Sequence, residues 1–536
     1  MKIFARHFQV FVKQVLRMAP FFWILLFAGN LISQDRSDGC TTITVGKSAS
    51  FDGSVMTSHT MDEHRARSWI DIQPAKFHKK GSTFTLFKME NEDSLAMPTY
   101  KEVPIGKIPQ VEKTFAYINT SLPCMNERQL AIGESTFGGR QSLQSDAGLI
   151  DLWRLVTLLI ERCATAREAI QLAGELTAKY GWRDVGECLT IADPQEVWHF
   201  EIVGPGKGKV GSIWAAQRVP DQHVAVNANA SRIREVDRHN PEFFMASENL
   251  TQVAIDSGWW NPEEGPFQFN YAYDPEGRQS LASRRREWRV LSLLAPSLNL
   301  QPESENYPFS VRPDSLVTLQ KMVEIFQDYY EDTDYNPIKN ITWKNKDGKC
   351  EISPLANPFM PYDMLPLFKI NGGWGWRGER TIARWYTMYA TIIQCRSFLP
   401  DPIGGVTWLA LDNVATSFYV PIYGGTTDLP ASYKTPGRVK GYTRESAWWG
   451  FNRLGTLSAQ RWGDMRHDVT AAWKPLQEKL FADQKKIEEE ALKIYNKKPK
   501  NVYPFLTDYT MKWANIAVAE AWRMGDLLWT KYDEKF

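Results

Sequence analysis

Apolar and polar positions alternate over residues 41–46 and again over 54–60, with Asp52-Gly53 between them, a pattern that predicts a β-hairpin. The same period-two signal predicts strands over 114–119, 129–134, 187–193, 197–203, 211–216 and 222–227, and later over 387–394, 405–411 and 417–422. Helical periodicity marks 149–163, where Leu152, Leu155, Val156, Leu159 and Ile160 share a face, and 165–180, where Thr165 and Glu168 have capping-box spacing. Further helices are predicted over 280–294, within 308–331, and over 469–494 and 509–532. Residues 64–113, rich in Lys, Glu and Pro, predict a strand or two joined by surface loops; 332–376 reads as loop, with NPFMPYDMLP and NGGWGW as breakers. Hairpin, helix pair, strand meander and late strands in this order predict an α/β fold with helices outside two stacked sheets. The Lys and Glu run at 484–499 predicts an exposed helix face.

Composition changes this picture little. A chain of 536 residues, 43% hydrophobic and 23% charged, is ordinary globular material, large enough for one core with appended elements or for two to three domains. The formal net charge is +1, and Lys2, Arg6, Lys13 and Arg17 all lie in the first 17 residues, so the rest is slightly acidic and gives no electrostatic reason to expect nucleic acid. The 21 Trp include several in predicted loops, which suggests loops packed onto the core more than an aromatic-lined cleft.

The N-terminus does matter. Four basic residues precede an uncharged run over 18–33, shorter than the roughly 20 residues of a membrane-spanning helix, which predicts a secretory signal with cleavage near Leu31-Ile32-Ser33. An uncleaved anchor is the alternative. Cleavage there leaves 34–39 ahead of Cys40. A lipoprotein acylation site at Cys40 fits poorly, since Asp35, Arg36 and Asp38 intervene and Ser37 replaces an aliphatic residue. A cysteine freed as the first residue of a chain carries a thiol and an α-amine together, a complete nucleophile and base. In water an α-amine titrates at about 8 and a cysteine thiol at about 8.5, so near neutrality one can take the other's proton. Disulfide pairing of the six cysteines is the competing use of Cys40, although sparse cysteines in a large body are also compatible with none.

No HExxH or paired-cysteine motif accompanies His59 and His64, and no GxSxG elbow appears, so neither a metal enzyme nor a serine hydrolase is expected. No nucleotide-binding glycine loop is apparent either, and no cofactor is expected.

The run CTTITVGKSASFDGS followed by SHTMD resembles the start of the cysteine-dependent dipeptidases among the N-terminal nucleophile hydrolases, relatives of secernins and, more distantly, of choloylglycine hydrolases. NTSLPCMNERQLAIGESTFGG and FLPDPIGGVTWLALDNVATSFYVPIYGG extend the resemblance. It implies a four-layer αββα sandwich over 40–440, a signal over 1–33, a propeptide over 34–39 and a helical C-terminal extension over 441–536. It also implies Cys40 as nucleophile, with His59 standing where many relatives have arginine and Asp62 orienting the new amine. In choloylglycine hydrolases an asparagine at the equivalent strand end joins the oxyanion hole; here Glu134, Ser135 and Thr136 occupy that neighbourhood. Asn227 or Asn229, at the strand end within the run VAVNANASRIRE, would bind a substrate carbonyl or amine. Arg284, in a Ser-Arg context, with Arg285 next, would meet a peptide carboxylate. Each polar residue also has an ordinary alternative: turn chemistry for the asparagines, a solvated helix face for the arginines, pairing with Arg65 or Arg67 for Asp62, a surface strand for His59.

The expectation is thus an exported dipeptidase, periplasmic or extracellular, acting on small peptides and touching a membrane only through its signal; a homo-oligomer is compatible with the sequence. An acylase of the same fold acting on bile-salt-like or acyl-amino-acid conjugates, and a non-catalytic binding protein or lipoprotein, are the alternatives.

Overall fold

The hairpin headed by Cys40 lies in the middle of the protein's first sheet. The computed structural model describes residues 39–63, 65–92, 99–359, 379–439 and 441–535; the expected signal, the expected propeptide except Gly39, His64 and the NGGWGW segment fall outside them. Ten strands carry the architecture: β1 (Thr42–Val45), β2 (Val55–Met61), β3 (Ala131–Gly138), β4 (Gly186–Ala192), β5 (Val197–Val203), β6 (Ile213–Val219), β7 (Val224–Asn227), β8 (Tyr389–Cys395), β9 (Val406–Leu411) and β10 (Val420–Tyr423). One seven-stranded sheet runs from the short edge strand Ser310–Val311 through β7, β1, β2, β8, β9 to β10. The other, of eight strands, runs from Phe244–Ala246 through β6, β5, β4 and β3 to Met125–Asn126, Tyr117–Asn119 and Asp71–Gln73. All pairings in both are antiparallel.

The two sheets meet through β2. Thr57 Oγ1 lies 2.7 Å from Thr190 Oγ1, and Thr44 Oγ1 lies 3.0 Å from His199 Nε2. Contact at Gly133 is closer still, since a Cβ there would stand 2.4 Å from the Ser58 carbonyl. Every residue of β1 and β2 is buried. Buried hydroxyls in these strands are tolerable because each reaches a carbonyl, as Thr42 does with Asn227 O, a second hydroxyl or, for Thr60, the Asp62 carboxylate.

Among the described residues there are seven longer helices: α1 (Leu152–Arg162), α2 (Ala166–Tyr180), α3 (Leu281–Leu294), α4 (Leu319–Gln327), α5 (Ala447–Gln460), α6 (Trp462–Lys497) and α7 (Val502–Lys531). The capping box at Thr165 and Glu168 is formed. α2 packs on β4 and β5, α3 on β7, and α5 and α7 on β9 and β10. The last helices are tied to the first sheet by polar contacts: Gln477 exchanges hydrogen bonds with the main chain of Tyr419, Thr510 Oγ1 donates to Pro421 O, and Arg396 pairs with Glu488 at 2.8 Å. Residues 39–536 cluster as one compact unit. Among the described residues no helix is long and apolar enough to cross a membrane.

Several expectations shift. The strand expected over 129–134 starts at Ala131, because Gln129 is left-handed (φ 65°) and still belongs to the preceding turn. The one expected over 114–119 is broken into Lys113–Thr114 and Tyr117–Asn119. Residues 64–113 contain a long hairpin, Thr83–Glu92 with Thr99–Pro109, whose exposed face carries the charges that masked its alternation. The six cysteines are all free thiols, and only Cys350 is exposed.

Candidate active site

Cys40 lies two residues before the first residue of β1 and is almost fully buried at 4% exposure. β1 is central, so groups arrive from both neighbouring strands, from the second sheet and from α3. β2 brings His59 and, just past its end, Asp62, both buried. β3 brings Glu134, Ser135 and Thr136 from the facing sheet. The sulfur, a His59 ring nitrogen and a Glu134 carboxylate oxygen all lie within 4.8 Å of one another. His59 Nε2 is 3.3 Å from Glu134 Oε2 without the angle of a hydrogen bond.

Charge is distributed unevenly around the thiol. Burial pushes Cys40 well above the usual thiol range, and the negative charges of Glu134 and Asp62 push the same way; the Asp62 backbone N–H, hydrogen-bonded to the sulfur, works against them. For Glu134, burial opposes ionisation, but His59 beside it outweighs that and holds the carboxyl below its ordinary value. Behind it, Thr136 Oγ1 lies 2.9 Å from Glu134 Oε1 and 3.0 Å from Glu187 Oε1. Burial, then the charge on Glu134, raises Glu187 well above the carboxylate range. The two adjacent buried carboxyls are thus pushed in opposite directions, Glu134 down and Glu187 up.

Asp62 is fully buried and satisfied on every side. Its carboxylate accepts from Arg380 Nη2 at 2.5 Å, Thr387 Oγ1 at 2.6 Å and Thr60 Oγ1 at 3.2 Å. Arg380, rather than Arg65 or Arg67, is its ion-pair partner, and the same Nη2 also donates to the carbonyl of Gly39. Gly39 N in turn donates to Asp62 O at 3.1 Å.

The arginine that faces Cys40 is Arg286. Its guanidinium donates to Cys40 O and Thr41 Oγ1 through Nη1, both at 3.0 Å, and to Ala228 O (3.0 Å) and Asn229 Oδ1 (2.7 Å) through Nη2. Burial and the nearby charge of Arg380 pull it down to about 9. Arg284, the expected residue, points away and binds the carbonyls of Glu303 and Ser304; Arg285 pairs with Glu379 and stacks on Tyr335. α3 turns by about 100° per residue, so Ser283, Arg286 and Val290 share the buried face while Arg284 lies across the helix.

The other expected residues are placed as follows. Ser135 Oγ donates to Cys40 O at 3.2 Å and accepts the N–H of Asn229 at 2.9 Å, so its one proton is committed to the main chain. Glu134, as a carboxylate, can accept but cannot donate to an oxyanion. Asn229 sits in the left-handed region (φ 65°) and is used throughout: Nδ2 donates to Thr136 O, Oδ1 accepts from Arg286, and its carbonyl accepts from Ser283 Oγ. Asn227 is opposite Thr42, and its buried amide makes no hydrogen bond among the described residues. Arg286, Arg380 and Glu187 are site residues that sequence patterns did not single out. The buried spacing of Ser283, Arg286 and Val290 carried a signal for the first; nothing local pointed to the other two.

A buried thiol, an imidazole with a carboxylate beside it, and two guanidiniums directed at main-chain carbonyls thus meet in one buried site. The chain matches peptidase family C69 over residues 39–475. It is 26% identical over 476 residues to a probable dipeptidase of Latilactobacillus sakei, covering 84% of this chain and 88% of the relative. It is 27% identical over 415 residues to probable dipeptidase B of Lactococcus lactis subsp. lactis strain IL1403 (75% and 78%), and 23% identical over 460 residues to dipeptidase A of Lactobacillus helveticus (84% and 87%). The protein is a peptide hydrolase. It belongs to peptidase family C69.

Proposed function

We propose that this chain is an exported dipeptidase whose nucleophile is Cys40, made competent when the Gly39–Cys40 bond is cut. The observation that carries the reading is the placement of Cys40: it heads the central strand, one residue after the family match begins, with His59, Glu134 and Asp62 about its side chain. In the unprocessed chain the thiol is buried beside two carboxylates and stays protonated. Cleavage supplies the missing base, an α-amine on the same residue.

The freed amine takes the thiol proton and the sulfur attacks the peptide carbonyl. The amine returns the proton to the leaving amino acid, water then attacks the thioester, and the acyl half leaves as a carboxylic acid while the thiol is restored. Glu134 provides negative charge for the substrate ammonium. Departure of Gly39 removes one carbonyl that Arg380 holds, which places a guanidinium beside the reacting centre for a substrate carbonyl or carboxylate. Two facing sheets with α1 and α2 on one and α3, α5 and α7 on the other support the four-layer sandwich of the N-terminal nucleophile hydrolases. The leader over 1–33 supports export to a periplasmic or extracellular site.

N-terminal sequencing and intact mass of active protein test the processing, and the first residue is expected to be Cys40; an active chain beginning at Gln34 would overturn it. Kinetics on a free dipeptide, its N-acetyl form and a glycine-conjugated bile acid test the substrate. Losing one charged contact is expected to lower kcat/KM for the blocked peptide about thirtyfold, from about 2 kcal/mol. Equal rates on the first two, or preference for the conjugate, would make the enzyme an acylase.

A further inference from the structure

We infer that Cys40, His59 and Glu134 form a zinc-binding site through which Zn²⁺ reversibly shuts off the enzyme, and that the amine released by processing completes it. The inference rests on the reading of Cys40 as an N-terminal nucleophile only for this fourth donor.

The geometry is that of a collapsed tetrahedral site. With Zn–N near 2.0–2.1 Å and Zn–O near 2.0–2.2 Å, two ligands on one tetrahedral ion stand roughly 3.3–3.5 Å apart. His59 Nε2 and Glu134 Oε2 stand 3.3 Å apart, and the sulfur lies within 4.8 Å of the donor atoms of both. His59 Nε2 is buried and meets no hydrogen-bond geometry among the described residues; its one close polar neighbour is Glu134 Oε2, which a metal between the two would keep as a fellow ligand. A backing hydroxyl, Thr136 Oγ1, holds the other oxygen of Glu134 as an outer partner holds a metal-bound carboxylate.

Zinc binding displaces the thiol proton to solvent: Sγ–H breaks, Sγ–Zn forms, and no electron changes hands. In the mature chain the α-amine and sulfur of Cys40 sit two carbons apart and close a five-membered chelate with the same ion. Four protein donors then surround it with no position left open, the arrangement of an inert rather than a catalytic zinc site. Both the nucleophile and its base are consumed, so occupancy and turnover exclude each other.

The test uses mature wild-type protein and Zn²⁺ alone. Alkylation of Cys40, followed by peptide mapping, is expected to slow more than tenfold when zinc is added and to recover on chelation, in parallel with dipeptide hydrolysis. Co²⁺ is expected to give a thiolate-to-metal absorption band that Cys40→Ser abolishes, and Glu134→Gln and His59→Ala are each expected to weaken Zn²⁺ binding at least tenfold, measured against a competing chelator. Because the alkylation arm needs no variant, misfolding of a variant leaves it decisive. A chain that starts at Cys40 and cleaves dipeptides but whose Cys40 alkylates at one rate with and without zinc overturns this inference alone. Protection by zinc in a chain that starts elsewhere upholds the three-side-chain site and removes the N-terminal nucleophile.

Discussion

A Cβ on Gly39 would stand 2.4 Å from Oδ1 of Asn229, the same oxygen that accepts from Arg286. Position 39 therefore admits only glycine unless Asn229 moves, and Asn229 cannot move without releasing both Arg286 and the Thr136 carbonyl. Gly39→Ala is expected to accumulate unprocessed precursor, seen by intact mass. The proposed cleavage removes this residue, so whatever chain is cut there should have wild-type kcat/KM. Processing at the normal rate would show that Asn229 yields freely.

Asp62 and Arg380 lie 318 residues apart in sequence and form a buried pair. The family resemblance implies a local orienting role for Asp62, in which Asp62→Asn would lower turnover at little cost in stability, with pairing to Arg65 or Arg67 as the alternative. The pair changes that expectation: leaving Arg380 buried without its counter-charge should destabilise by on the order of 3–5 kcal/mol, besides abolishing most activity. Asp62→Asn combined with Arg380→Met is expected to recover part of the stability and none of the activity, in chemical denaturation and kinetic assays. A melting temperature unchanged in the single variant would return Asp62 to a purely local role.

Arg284 and Arg286 separate cleanly. Arg286→Ala strips donors from Cys40 O, Thr41 Oγ1, Ala228 O and Asn229 Oδ1, each buried acceptor costing about 1–3 kcal/mol, and should lower both kcat/KM and the denaturation midpoint severely. Arg284→Ala loses contacts to two loop carbonyls and is expected to cost about 1 kcal/mol, with kcat/KM nearly unchanged. The reverse ranking would put the substrate carboxylate on the far side of α3.

The strands around Cys40 were legible because alternation and turn residues are local, and β4, β5 and β7 lie within a few residues of where the pattern put them. Helix capping by Thr165 was legible for the same reason. Arg286 was missed because an arginine on a buried stripe looks like any other member of an Arg-rich helix until a carbonyl is found opposite it. Arg380 could not be read at all, since its relation to Asp62 is made by the fold and leaves no spacing. Glu187 belongs to a correctly expected strand, but alternation cannot tell that both faces are covered, and only double burial beside Glu134 pushes that carboxyl up.

Asp151 offers a test of burial away from the site. It caps α1 by accepting the N–H of Arg154 at 2.9 Å, and burial, reinforced by the charge on Asp184, raises it to about 7. An unfolded aspartate titrates near about 4, so between about pH 4 and pH 7 the folded state keeps a proton that the unfolded state has lost. The stability this residue contributes is full below about pH 4, falls as pH rises, and is gone above about pH 7, with a slope of at most about 1.4 kcal/mol per pH unit. Asn is an equally good cap and does not titrate. Asp151→Asn is therefore expected to gain stability relative to wild type from about pH 5 to pH 7 and to hold that gain at about pH 8, measured by urea denaturation at each pH. A difference that stays flat across this range would mean that Asp151 ionises in the folded chain as it does in water.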